Sequence, residues 1–204
     1  MALFIVFEGI EGCGKTTQAK RLFNYLTAQG FKTHLTKEPG GTDLGMKIRD
    51  LLLSHHTETL PPIAELLLYE ADRSIHIHNV IKPFLHKDYI VISDRFYYST
   101  IAYQHFGRGL SYDLITLLNT ATTESLKPDI TFLLDIPVEE AFKRLNRQRD
   151  RIESESISFH QKVREGFLTI AKQDKNIVII DATQSPDDVF NQVLQALTPL
   201  LHKI

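Results

Sequence analysis

The chain has 204 residues, 43% of them hydrophobic and 24% charged, a composition typical of one soluble α/β domain. Its formal net charge of −2 gives no broad basic field, so we expect neither nucleic acid nor a membrane as a partner. The single cysteine, Cys13, excludes an internal disulfide and favours a reducing cytoplasm. No basic segment precedes the first apolar run, and no stretch approaches the roughly 20 apolar residues of a membrane span.

The first predicted strand, residues 2–7, leads into a phosphate-binding motif. Residues 9–16 have the form G-x-x-x-x-G-K-[ST], and a helix is predicted over residues 17–29. Backbone N–H groups of such a loop, together with the helix N-terminus, bind nucleotide phosphates. Lys15 would reach the outer phosphates and the Thr16 hydroxyl would ligate magnesium. The predicted ATP site comprises Gly9, Ile10, Glu11, Gly12, Cys13, Gly14, Lys15, Thr16 and Thr17.

The second strand is predicted over residues 32–36, followed by a turn and a helix over residues 43–54. Glu38 comes at the end of this strand. There it could hold a metal-bound water or an arginine that contacts substrate, or it could be a solvated turn residue. Arg49 lies on a different face of the helix from its apolar residues.

Residues 61–84 are predicted to form one long helix with a single apolar stripe. Tyr69 and Arg73 lie one turn apart within this stripe, so the ring and the guanidinium project together. The pair could stack on and hydrogen-bond to a flat heterocycle. The alternative is a core tyrosine beside an Arg73 that is paired with Asp72 or Glu70.

The third strand, residues 89–93, is followed directly by Asp94 and Arg95. An acid at the carboxyl end of a buried strand lies where α/β sheets bind ligands and where phosphate-loop enzymes need an acid near magnesium. Ser99 and Tyr103 follow at helical spacing. Thr100 and Gln104 lie beside them.

The remaining chain predicts two further strands, residues 130–135 and 176–180, between helices over residues 111–123, 137–145, 156–172 and from Pro186 onward. Five apolar strands separated by helices predict a parallel sheet covered on both faces. Between the helices, Arg147, Arg149 and Arg151 alternate with a period of two, which indicates a loop that closes over phosphates rather than a helix face. A solvated helix end is the usual alternative for such a charge run.

The phosphate loop alone does not separate kinases from GTPases or motors. The guanine-reading N-K-x-D sequence of a GTPase is absent, and 204 residues are few for a motor. A small kinase needs a second substrate site and a source of positive charge near the transferred group, and this sequence offers both.

The sequence resembles the thymidylate kinases over nearly its whole length. The resemblance is carried by residues 7–17, 37–42, 48–49, 71–73, 94–104, 150–153 and 180–183, and its most specific part is the D-R-x-x-x-S-x-x-A-Y-Q run that begins at Asp94. It implies one P-loop kinase domain, residues 1–204, with a small lid at about 144–156. It also implies phosphoryl transfer from ATP to dTMP with magnesium, in dTTP synthesis, by a cytoplasmic homodimer.

The resemblance also implies residue roles. Arg95, with Arg49, would grip the dTMP phosphate, and Tyr69 would stack on thymine while Arg73 bonds its O4 atom. Glu11 would lie near the sugar 3′-hydroxyl or the metal, and Tyr103 would crowd the 2′ position. Thr16 and Asp94 would hold the metal. Glu38, Ser99, Thr100 and Gln104 would complete the dTMP site, and Lys15, Asp94 and Arg95 would share catalysis with lid arginines 147, 149 and 151.

Family members differ in where their catalytic arginine lies. Gly12 and Cys13 occupy the loop positions that could carry it, so this chain resembles the bacterial type with an arginine in the lid. Two other readings remain: a kinase of another nucleoside monophosphate or small molecule, and a nucleotide-binding module without activity.

Overall fold

The computed structural model describes residues 2–145 and 148–202. Its strands are β1 (Leu3–Glu8), β2 (Thr33–Lys37), β3 (Ile90–Asp94), β4 (Ile130–Asp135) and β5 (Ile177–Asp181). Its α-helices are α1 (Lys15–Ala28), α2 (Asp43–Leu53), α3 (Pro62–His76), α4 (Lys82–Leu85), α5 (Tyr97–Thr100), α6 (Tyr112–Thr123), α7 (Val138–Lys143), α8 (Ile157–Gln173) and α9 (Pro186–Leu201). Two π-helical segments, Ile77–Ile81 and Ile101–Gly107, follow α3 and α5.

The five strands form one parallel sheet in the order β2-β3-β1-β4-β5, which confirms the predicted fold class. β1 lies at its centre, and its side chains alternate between two cores. Leu3, Ile5 and Phe7 belong to the larger core, whereas Phe4 and Val6 pack on the other face with Ile77, Ile81, Val91 and Phe96. Covering both faces explains why β1, β3 and β4 are nearly continuous apolar runs, whereas the edge strand β2 is mostly polar.

Four strands end one residue later than the sequence predicts. Glu8, Lys37, Asp94 and Asp181 each pair in the backbone ladder although their side chains are polar. The ladder needs only backbone groups, so side-chain polarity is a poor guide to where a strand stops. This edge of the sheet carries the polar residues of the candidate site.

The predicted helix over residues 61–84 is wrong in its detail. α3 ends at His76, and the π-helical segment Ile77–Ile81 separates it from α4. The N–H of Lys82 donates to the carbonyl of Ile77, five residues earlier, as in a π-helix. Pro83 follows directly, and a proline inside a helix removes a donor and crowds the carbonyl four residues back. The wider π turn accommodates it without breaking the helical path.

Within the described part of the chain, none of the helices combines the length and apolarity needed to cross a bilayer.

Candidate functional site

The phosphate loop joins β1 to α1. Gly14 takes a left-handed conformation, with φ of 99°, immediately before α1 begins at Lys15. The Lys15 ammonium bends back over the loop and donates to the Ile10 carbonyl at 2.7 Å and to the Cys13 sulfur at 3.5 Å. A buried cation that is satisfied by one loop carbonyl and one sulfur is well suited to exchange them for phosphate oxygens.

The packing of α7 against the phosphate loop leaves room only for glycine at position 12. The φ of Gly12 is 77°, and a Cβ there would lie 2.2 Å from the Ala141 carbonyl oxygen of α7. An arginine at this position is therefore sterically excluded unless α7 moves. The predicted absence of a loop-borne arginine thus has a packing reason.

Thr16 and Asp94 meet at the mouth of the loop, where the Thr16 hydroxyl donates to Asp94 Oδ2 at 2.5 Å. Both are oxygen ligands of the kind magnesium prefers. No cluster of three or more His, Cys, Asp or Glu side chains able to hold a metal occurs among residues 2–145 and 148–202. A magnesium ion here would depend on phosphates and waters for its other ligands, as it commonly does beside a phosphate loop.

One cavity of about 820 Å³ runs along this edge of the sheet. At one end it is lined by Ala182, Gln184 and Pro186, and the phosphate loop lies in its middle. At the other end it is lined by Glu38, Arg49, Tyr69, Arg73, Thr100 and Gln104. The cavity thus brings together most of the residues that the sequence analysis assigned to ATP and to dTMP.

Arg95 lies between the two ends. Its guanidinium donates to the Gly9 carbonyl at 3.0 Å, to Ser99 Oγ at 2.9 Å and to Glu11 Oε1 at 2.8 Å. Tyr103 donates to the same Glu11 carboxylate at 2.6 Å. Burial opposes ionisation of Glu11, but the charges of Arg95 and Lys15 hold its pKa below the usual value.

The backbone of Arg95 is also constrained, with a φ of 76° that a side chain larger than glycine adopts rarely. Glu8 holds the chain there. It accepts hydrogen bonds from Phe96 N at 2.8 Å, Ser99 N at 3.1 Å and Ser99 Oγ at 2.6 Å, and so caps α5 from the neighbouring strand. Burial raises the pKa of Glu8 to about 7, although the Arg95 charge opposes this.

Arg73 is 2% exposed, and its guanidinium is hydrogen-bonded to other side chains. Its Nε atom donates to Glu38 at 2.9 Å, and its Nη1 atom donates to Glu70 at 2.8 Å and to Asn119 at 2.9 Å. These two carboxylates raise the pKa of Arg73 above its ordinary value against the effect of burial. The Glu70 pairing considered as an alternative is therefore present, together with a second pairing to the predicted site residue Glu38.

The remaining dTMP-site residues also line the cavity. Thr100 is 1% exposed, and its hydroxyl finds no hydrogen-bond partner within the described chain. Gln104 donates to Glu65 at 2.9 Å, and Arg49 donates to the Pro39 carbonyl at 2.9 Å. Tyr69 lies at the same end, and burial raises the pKa of its hydroxyl above the ordinary value.

The predicted lid arginines have different surroundings. Arg147 lies outside the described residues. Arg149 is exposed and lies 4.6 Å from the centre of the Phe142 ring. Arg151 donates to the Leu52 carbonyl at 2.8 Å, and its Nη2 atom lies 2.7 Å from Glu65. Arg144, which was not among the predicted site residues, lines the cavity directly.

Comparison with known proteins identifies the family. A thymidylate kinase family model matches residues 7–193. The chain belongs to the thymidylate kinase family. It is 52% identical to the thymidylate kinase of Sulfurihydrogenibium sp. over 198 residues, covering 97% of each chain, and 48% identical to that of Geotalea daltonii, covering 92% of each. The crystal structure of the Ehrlichia chaffeensis thymidylate kinase superposes with a TM-score of 0.78 at 35% identity, over 96% of this chain and 98% of that one.

Within this thymidylate kinase fold, three buried polar residues near the site were not predicted from the sequence. Glu8 supports the Arg95 loop, Glu65 gathers Gln104, Arg108 and Arg151, and His160 lies beside Glu11. Glu8 carried a usable signal, because it is an acid at the end of an apolar strand, as Asp94 is. The other two are single polar residues within helical patterns and have no such signal.

Proposed function

We propose that this chain transfers the terminal phosphoryl group of ATP to dTMP, giving ADP and dTDP for dTTP synthesis. The observation that carries the proposal is the position of Arg95. Its guanidinium is held within hydrogen-bond distance of the phosphate loop at Gly9, at the junction of the two ends of the cavity. A second cation at that point suits an acceptor that itself bears a phosphate.

ATP is proposed to bind with its base toward Ala182 and Pro186 and its phosphates in the loop. Lys15 leaves the Ile10 carbonyl and neutralises charge on the outer phosphates as that charge develops. The N–H groups that precede α1 hold the phosphates in place. Thr16 and Asp94 would hold magnesium, which would supply further positive charge to the phosphates.

The proposed dTMP site is the opposite end. Arg95 and Arg49 bind its phosphate, and Tyr69 stacks on thymine. Arg73 has donors only, so it suits the O4 carbonyl of thymine and faces an amino group in cytosine. Glu38 positions Arg73 rather than contacting substrate, and Ser99 positions Arg95.

The Thr100 hydroxyl and Gln104 complete the base edge, and Tyr103 with Glu11 lies against the sugar.

A lid at about residues 144–156 is proposed to supply positive charge to the transition state. Arg151 is engaged with Glu65 and the Leu52 carbonyl, which suits it to anchor the lid on α2 and α3. Among the described residues, Arg144 lines the cavity and Arg149 is exposed nearby on the lid, so these two are the proposed donors of charge. Arg147 lies outside the described residues and stays a candidate from the sequence alone.

We further propose a single domain that forms a homodimer in the cytoplasm. The packed helices α2, α3 and α6 expose an apolar face made of Leu44, Leu51, Ile63, Leu67, Tyr112 and Leu117, each at least 42% exposed. An apolar face on neighbouring helices is typical of subunit interfaces. The lone, buried Cys13 is consistent with a reducing compartment.

The decisive experiment is an ADP-release assay with ATP, magnesium and a panel of nucleoside monophosphates. We expect dTMP to give the highest kcat/KM, followed at a distance by dCMP and UMP. Lys15→Ala should abolish turnover while its circular dichroism spectrum stays that of the wild type, because Lys15 acts on the phosphates. Turnover of another monophosphate in preference to dTMP, or retained activity in folded Lys15→Ala, would contradict the proposal.

A further inference from the structure

His76 is a fully buried histidine at the end of α3 that the proposed reaction does not yet use. Its Nδ1 atom lies 2.9 Å from Glu38 Oε1, and its Nε2 atom lies 2.6 Å from the Thr36 hydroxyl oxygen. A carboxylate has acceptors only, so Nδ1 carries the hydrogen and donates to Glu38. The backbone of Gly41 packs against the ring, because a Cβ there would lie 2.3 Å from Nε2. The ring is therefore held in place at both nitrogens.

The hydrogen bond from His76 engages one of the two oxygens of Glu38. The other oxygen, Oε2, accepts from Arg73 Nε at 2.9 Å. In a guanidinium, Nε and Nη2 lie along the same edge, and a carboxylate on this edge frequently bonds both nitrogens in parallel. Glu38 bonds only Nε, because its second oxygen accepts from His76.

The Nη2 atom of Arg73 makes no hydrogen bond to residues 2–145 and 148–202. The two hydrogens of its neighbour Nη1 are engaged by Glu70 at 2.8 Å and by Asn119 at 2.9 Å. Arg73 lines the cavity at the proposed thymine end. A base bound at this end could therefore take up Nη2 without displacing a partner from the described chain.

We propose that His76 is a positioning residue that keeps the Glu38 carboxylate off Arg73 Nη2, so that Nη2 can donate to the O4 atom of thymine. This proposal rests on the dTMP phosphorylation proposed above. Without the Nδ1 donor, Glu38 Oε1 turns to Nη2 and completes the paired contact that carboxylates make along this edge. Arg73 is then still neutralised and buried, but its donor for O4 is occupied. His76 thus governs the choice of base rather than the transfer of the phosphoryl group.

The test compares His76→Leu with His76→Asn, which have similar shapes and differ in whether a side-chain N–H can replace Nδ1. We expect the Leu variant to lose about tenfold in the dTMP/dCMP ratio of kcat/KM, the order of one hydrogen bond to a charged group. The loss should come from a higher KM for dTMP, while kcat with dTMP and KM for ATP stay within about twofold of the wild type, because base contacts are made before and during transfer alike. The Asn variant should recover most of the ratio.

A crystal structure of the ligand-free His76→Leu variant gives a second measurement that does not depend on activity. We expect Glu38 Oε1 to lie at hydrogen-bond distance, roughly 3 Å, from Arg73 Nη2 in the variant. If the Leu variant does not fold, His76→Phe, which keeps a ring without nitrogens, takes its place in both measurements.

Thr36→Val is the matched control, because it removes the partner of Nε2 and keeps the bond from Nδ1 to Glu38. We expect it to lower the Tm, since it leaves a buried ring nitrogen unpaired. Its dTMP/dCMP ratio should stay near that of the wild type.

A Leu or Phe variant whose ratio stays within about twofold of the wild type, or an Asn variant no better than these, would overturn the role of His76. So would a variant structure in which Glu38 Oε1 stays away from Nη2, or a control that loses about as much of the ratio as the Leu variant. A wild type that does not phosphorylate dTMP would instead contradict the proposed function, and the variant structure would still test the contact between Glu38 and Arg73.

Discussion

Arg73 shows at the scale of one residue how a buried charge can be both structural and functional. Its guanidinium is divided between Glu38, Glu70 and Asn119, and the same side chain lines the proposed thymine end of the cavity. Removing the cation would leave two nearly fully buried carboxylates that keep only weaker partners, His76 for Glu38 and the Thr122 hydroxyl for Glu70. A substitution at Arg73 therefore changes stability as well as specificity.

We expect Arg73→Ala to lower the free energy of unfolding by about 3–5 kcal/mol, the cost of breaking a buried ion pair from one side. Urea denaturation followed by fluorescence or circular dichroism measures it. Arg73→Lys keeps the charge but not the planar fork of the guanidinium. It should therefore be destabilised less than Arg73→Ala, and its dTMP/dCMP ratio of kcat/KM should still be smaller than that of the wild type. An Arg73→Ala midpoint equal to that of the wild type would contradict the structural role.

The sequence predicted Arg73 as a site candidate and offered Glu70 as a possible partner, but it could not predict the other two partners. The Glu70 pairing follows from helical spacing. Glu38 and Asn119 lie 35 and 46 residues away, and only tertiary packing brings them to Arg73. Conversely, Lys15, Thr16 and Asp94 were predictable, because the loop motif and the strand-end acid fix their positions through local geometry.

At the scale of elements, the junction between β1 and α5 depends on Glu8. Its carboxylate caps α5 and supports the left-handed Arg95, and burial raises its pKa to about 7 from an ordinary value of 4.5. The folded protein therefore binds this proton more tightly than the unfolded chain does. The stability contributed by Glu8 protonation is fully present below pH 4.5 and is lost as the pH rises through 7.

We expect the Glu8→Gln variant, whose amide cannot titrate, to lack this contribution to the pH dependence of the free energy of unfolding. The free energy of unfolding of the wild type minus that of the variant should fall between pH 5 and pH 8, since other groups titrate equally in both proteins. Urea midpoints at four or five pH values measure the difference. A level difference over this range would show that Glu8 ionises normally in the folded protein, and a rising one would show that its pKa is lowered.

The sequence predicted the number and order of the helices better than it predicted which turns are α-helical and which are π-helical. Apolar residues recur at similar spacing in α- and π-helical turns, so the pattern over residues 61–84 did not reveal the π segment before Pro83. Ile101–Gly107 is a second π segment, and it carries Tyr103 and Gln104 into the cavity. Such turns are frequent at functional sites, because they re-aim side chains without ending the helix.

At the scale of the whole molecule, the apolar face on α2, α3 and α6 predicts self-association. We expect Leu67→Glu, at a position 50% exposed on α3, to convert a dimer to a monomer, because it places a charge within the proposed interface. Sedimentation velocity measures the change. Ile179→Glu on the edge strand β5, 48% exposed, is the matched control and should leave the mass unchanged. A wild type that sediments as a monomer at micromolar concentration would contradict the proposed dimer.

Because carboxylates neutralise the charge of two site arginines, we expect an effect on the rates at which the nucleotides associate. Glu38 and Glu70 neutralise Arg73, and Glu11 neutralises Arg95, before any ligand is present. Apart from Arg49, which donates to a backbone carbonyl, the acceptor end therefore presents little net positive potential beyond the Debye length of about 10 Å at 0.1 M salt. Electrostatic attraction over longer distances comes instead from Lys15, on the ATP side. Rising ionic strength should accordingly slow the association of ATP more than that of dTMP.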